Sequence, residues 1–126
     1  MVDVVAFQPL TPSRISSLIE ADFKASEARG IKESLWTSFV VGEGVVEAAL
    51  KEMRGFVTVD GIVMNKYGGR ELAKNSVVLG VRKAAGKRRR GKAGEAFLEE
   101  AGEKVRLTLC SKDDTTKESC KLLFST

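Results

Sequence analysis

Apolar residues recur along this chain with two different periods, and the switches between them mark out its elements. Ile15, Leu18, Ile19 and Phe23 repeat at helical spacing, the signature of a helix with one inward stripe. Thr11-Pro12 stands before them. The threonine hydroxyl suits the free amides of a first turn, and a proline at the first helical position loses no hydrogen bond. Gly30 after Arg29 predicts the end of that helix. Upstream, Val2, Val4, Val5 and Phe7 suit a short strand.

Leu35, Trp36, Phe39, Val40 and Val41 crowd large apolar groups into seven positions and fit either a strand or one face of a helix. Beyond Gly42-Glu43-Gly44, the spacing of Val46, Ala49, Leu50 and Met53 predicts a second helix closed at Gly55. Phe56-Val57-Thr58-Val59 and Ile62-Val63-Met64 flank Asp60-Gly61, a dipeptide that accepts positive φ in a two-residue hairpin turn. Val77-Val78-Leu79-Gly80-Val81 reads as a strand apolar enough to be central, with a glycine-punctuated, mobile basic loop over 84–94 after it. A third helix is expected from Ala93 to Ala101, with Phe97, Leu98 and Ala101 inward. Val105, Leu107 and Leu109 alternate with Arg106, Thr108 and Cys110, a strand with one buried face. A polar turn over 112–118 leads to a last strand from Cys120 to Phe124. Pairing centred on Thr115 puts Lys112 opposite Glu118 and Cys110 opposite Cys120, close enough to cross-link under oxidation. The expected architecture is α+β: a single small domain, mostly antiparallel sheet, with two hairpins and about three helices packed on it.

Composition narrows the class. A chain of 126 residues that is 43% hydrophobic and 30% charged is neither disordered nor fibrous, and it is long enough to bury a core without metals or staples. Its apolar runs fall far short of the roughly 20 residues that span a bilayer. No basic stretch precedes an apolar one at the N-terminus, so the expected location is the cytoplasm or a particle assembled there, with no membrane partner. There is no histidine and there are only two cysteines, too few ligands for the usual four-ligand zinc site. No metal or cofactor is expected.

The net charge of +4 conceals a segregation. From Lys66 to Lys92 there are ten basic residues opposed only by Glu71, a charge of +9, and the rest of the chain carries −5. Concentrated positive charge attracts phosphate backbones and releases their counterions. The predicted contacts are Arg82, Lys83, Lys87, Arg88, Arg89, Arg90 and Lys92, with Arg70 and Lys74 extending the patch. The expected partner is nucleic acid or another polyanion. RNA is favoured because no helical motif for the major groove is visible. Tyr67 is the only aromatic in the basic window, so backbone contact fits better than base stacking.

Catalytic motifs fail on inspection. Gly86 to Lys92 fits G-x-x-x-x-G-K, but Ala93 stands where a hydroxyl would hold Mg²⁺. Gly42-Glu43-Gly44-Val45-Val46-Glu47 follows the dinucleotide fingerprint until Glu47 replaces its third glycine and sets negative charge beside a pyrophosphate; Asp60 is better used by the hairpin turn. Asp22 and Lys24 have an acid-x-Lys spacing found in some nucleases, yet they flank the inward Phe23. Asp113-Asp114 sits in a polar turn. Without histidine, neither a Ser–His nor a Cys–His pair can be assembled. The expectation is therefore a non-enzymatic nucleic-acid-binding accessory protein with little sequence specificity. The rival is an assembly cofactor or structural subunit of a larger complex, a viral particle included. It would associate through the apolar patch at 35–41, with Leu35, Trp36 and Phe39 as anchors. A homodimer would double the basic stretch.

Overall fold

Thr11 and Pro12 open the first helix as their chemistry requires. The computed structural model describes residues 10–87, 93–112 and 118–126. In it the Thr11 hydroxyl accepts from the Arg14 amide at 3.2 Å, and Pro12 leads helix α1 (Pro12–Lys32). Gly30 does not end this helix as expected. It supplies space: a side chain there would overlap the Trp36 indole, whose N–H donates to the Glu27 carbonyl at 3.1 Å. The chain turns at Ser34, with φ of 58°, and enters strand β1 (Trp36–Val41), which settles the open choice for that segment. Helix α2 (Val45–Glu52) follows. The hairpin of β2 (Phe56–Val59) and β3 (Ile62–Asn65) turns at Asp60 and Gly61, with φ of 52° and 79°. A short α3 (Gly69–Ala73) comes next.

Two expectations are overturned. The run from Val77 to Val81 is not a central strand; it lies in helix α4 (Ser76–Gly86). Asn75 starts that helix, its carbonyl accepting from the Val77 and Val78 amides while its NH₂ donates to the Ala49 carbonyl at 2.8 Å. Val77, Val78, Val81, Ala84 and Ala85 then recur on one buried face, a helical period that appears only when the run is read together with the cationic stretch after it. The segment from Ala93 to Ala101 is not a third helix; it contains strand β4 (Gly94–Ala101). Alanine, leucine and glutamate are good helix formers, but propensity amounts to only about tenths of a kcal/mol per residue, and pairing on both sides overrides that preference. The loop expected over 84–94 shrinks accordingly, since 84–86 belong to α4 and Gly94 to β4. Residues 88–92, Thr115 and the strand expected at 2–7 lie outside the described residues.

With β5 (Lys104–Lys112) and β6 (Glu118–Ser125), a four-stranded sheet forms in the order β1-β4-β5-β6. The β1–β4 pair is parallel, and the other two are antiparallel. Lys112 opposes Glu118 and Cys110 opposes Cys120, as the spacing predicts, and the two cysteines are disulfide-bonded. Ala96, Leu98, Val105 and Leu107 are buried on one sheet face with Ile15, Ile19 and Phe23 of α1, Val45 and Ala49 of α2, and the apolar side of α4. Helices thus cover one face of the sheet, and the described residues form a small α+β domain. No helix among them is long and apolar enough to cross a membrane.

Candidate nucleic-acid interface

Helix α4 divides its cations between two sides. Arg82 turns towards α1, where its Nε donates to both Asp22 oxygens at 3.0 and 2.9 Å and its Nη2 makes a salt bridge to the same carboxylate. The hydrogen bond to Asp22 raises the guanidinium pKa, with desolvation opposing and Coulomb attraction adding. Arg82 therefore arrives already neutralised, and Asp22 is used for structure rather than for metal chemistry. Among the described residues, Arg82 is thus the one cation expected to contact nucleic acid that is seen paired with a carboxylate, though its side chain is still 53% exposed.

Lys83 and Lys87 lie one helical turn apart on the other side. With Lys74, just before α4, they line a concavity of about 440 Å³ between α4 and β6. Its floor is Leu79, Gly80, Leu123 and Phe124. Gly80 is required by this packing, because any side chain there would overlap the Phe124 ring. Among the described residues no carboxylate lines the groove, which carries three lysines around an apolar floor; the Glu52 carboxylate accepts from the hydroxyl and amide of Ser76, a lining residue, at 2.7 and 3.1 Å. Arg88, Arg89, Arg90 and Lys92 follow Lys87 in the sequence and lie outside the described residues. Arg70 is exposed on α3 and does not line the groove. Sequence reasoning missed Leu123 and Phe124 as groove residues; their signal was the apolar end of the last strand, read there only as a strand.

Elsewhere the expected chemistry takes other forms. Gly42-Glu43-Gly44 joins β1 to α2, and Gly44 has φ of 82°. That turn borders a second cleft, of about 550 Å³, rimmed by Glu20, Glu27, Glu43 and Glu47 with Lys24. The G-x-x-x-x-G-K stretch lies between a helix and a strand, the reverse of the order a phosphate-cradling loop needs. The Tyr67 ring packs against Gly55, with the Lys66 ammonium 5.0 Å from its centroid. Among the described residues no group of His, Cys, Asp and Glu could hold a metal ion.

The interface anchors expected at 35–41 face inward. Leu35, Trp36 and Phe39 are all buried, and the Trp36 and Phe39 rings meet at 5.2 Å. A β-bulge at Trp36/Ser38 accompanies this arrangement. Only Val40 and Val41 of that patch remain exposed. Compared with known proteins, the chain matches no family model, no curated protein and no solved structure.

Proposed function

We propose that the chain is a non-enzymatic protein that binds nucleic acid through phosphate contacts, with RNA favoured and little dependence on base sequence. The observation that carries this reading is a groove lined by Lys74, Lys83 and Lys87 and by no carboxylate among the described residues, with Lys87 followed in the sequence by Arg88-Arg89-Arg90-Gly91-Lys92. A polyanion that meets these cations releases its own counterions, which favours association. RNA is favoured over duplex DNA because these lysines line a recess bounded by an edge strand. A helix that reads the major groove must project instead. An apolar floor with a single aromatic ring suits a strand held by its backbone better than successive stacked bases.

The test is binding of an unstructured RNA across a salt series, beside single-stranded and duplex DNA of equal length. Changing Lys74, Lys83 and Lys87 together to Ala removes three phosphate contacts. The slope of log K against log salt should flatten by about two units, and affinity near 0.15 M should fall on the order of 50-fold. Arg82→Ala should cost clearly less than Lys83→Ala, because Arg82 faces Asp22 and does not line the groove. Equal losses for Arg82→Ala and Lys83→Ala, or no loss from the triple change in a protein that melts normally, would defeat the proposal.

A further inference from the structure

From the register of the sheet and the exposure of the face that the described residues leave open, we infer that this face is the docking surface for a second copy of the chain. One apolar row crosses all four strands at the same level. Val40 of β1 pairs with Phe97 of β4, Phe97 with Thr108 of β5, and Thr108 with Leu122 of β6. All four point away from the helices, opposite to the buried Ala96, Leu98 and Leu107. Val40 is 48% exposed and Leu122 55%. Two residues along the strands, Glu99 and Arg106 are likewise paired and exposed on this face. A sheet whose second face carries such a row commonly closes it against another sheet, with strands nearly aligned.

Charge selects the occupant and its orientation. A two-fold axis running along the strands, between β4 and β5, sets each β4 over the partner copy's β5 and each β1 over the partner copy's β6. Equivalent levels then meet: Phe97 lies over Thr108, Val40 over Leu122, and Glu99 over Arg106, in both directions. An axis across the strands at the Phe97 level would instead bring Glu99 of one copy over Glu95 of the other, two exposed carboxylates. The face is therefore self-complementary in one arrangement and self-repelling in the other. Four strands by about six residues give a projected area on the order of 400 Å² per copy. That lies below the roughly 1,200 Å² in total at which standard specific interfaces begin, so the dimer should be weak and concentration-dependent, at micromolar affinity or weaker. The lysine groove opens on the other side of the sheet and stays free, which makes this association independent of nucleic-acid binding.

Sedimentation or light scattering of the full chain without nucleic acid tests it. The mass should rise with concentration from 13.7 kDa towards twice that value. Leu122→Glu, at an exposed position, should hold the protein monomeric without changing its melting temperature. Glu99→Arg and Arg106→Glu should each be monomeric alone, since each sets like charges across the two-fold axis. An equimolar mixture should form heterodimers, because both contacts across the axis are then opposite in sign. Rescue by mixing separates an intermolecular contact from the cross-strand pair within one sheet, which mixing cannot repair. A mass fixed at the monomer value at every concentration, dimers that persist in Leu122→Glu, or a mixture that stays monomeric would overturn the inference.

Discussion

Gly80 shows how one missing side chain shapes the proposed groove. In a helix interior, replacing glycine by alanine ordinarily stabilises by about 1 kcal/mol, because alanine has less backbone freedom to lose. At Gly80 a methyl group would overlap the Phe124 ring, and overpacking of that kind costs roughly 1–3 kcal/mol. The steric cost should win. Gly80→Ala is expected to lower the unfolding free energy by about 1 kcal/mol and the melting temperature by a few degrees, and to weaken RNA binding by displacing Phe124 from the groove floor. Gly86→Ala is the control: it meets only the far end of the flexible Arg29 side chain, at 3.2 Å, and should be near neutral. A stabilised Gly80→Ala in denaturant titration would mean that Phe124 does not rest on α4. At this scale the sequence announced cations but not their partners. Arg82 and Lys83 are neighbours in the chain, and what separates their roles is Asp22, sixty residues away.

Strand β6 is an edge strand, held by its ladder to β5, by the Thr126 amide donating to the Val105 carbonyl, and by the Cys110–Cys120 disulfide. The cysteines are ten residues apart. Closing a loop of that length restricts the unfolded chain by about 2–3 kcal/mol in the chain-entropy account. A thiol reductant should therefore lower the unfolding free energy by that amount. Cys120→Ser should give the same loss, and reductant should then have no further effect on the variant. A wild-type protein indifferent to reductant would show that the bridge does not form in solution. The pairing behind this prediction was legible because alternation from Val105 to Leu109 and a polar turn fix the register of a local hairpin. The same was true of Asp60-Gly61 and of Thr11-Pro12. What failed was non-local. β4 is central, between a parallel neighbour from more than fifty residues upstream and an antiparallel one just downstream, and its Glu-Ala-Phe-Leu-Glu-Glu run carries no record of those partners. In α4, β-branched residues gave strand propensity, while helical burial of Val77, Val78 and Val81 depended on α1 and α2 lying above them.

At the scale of the molecule, two clefts of opposite charge among the described residues lie beside opposite edges of the sheet. The lysine groove lies beside β6, and the cleft rimmed by Glu20, Glu27, Glu43 and Glu47 lies beside β1. Three strand spacings separate those edges, about 14 Å. That exceeds the Debye length of about 8 Å at 0.15 M salt and falls well inside the roughly 30 Å reached at 0.01 M. The separation distinguishes a local binding face from a protein that is merely cationic. Changing Glu20, Glu43 and Glu47 together to Gln raises the net charge by three, whereas changing Lys83 and Lys87 to Ala lowers it by two. If net charge governed affinity, the two variants would shift RNA binding in opposite directions at each salt concentration, the glutamine variant by the larger amount, and both shifts would shrink together as salt rises. If the groove governs it, the glutamine variant should match the wild type within about twofold near 0.15 M and bind more tightly only at 0.01 M, where its distant charges are unscreened. The lysine variant should be weaker at both. A glutamine variant that binds tenfold more tightly at 0.15 M would assign the affinity to overall charge and leave the groove without a role.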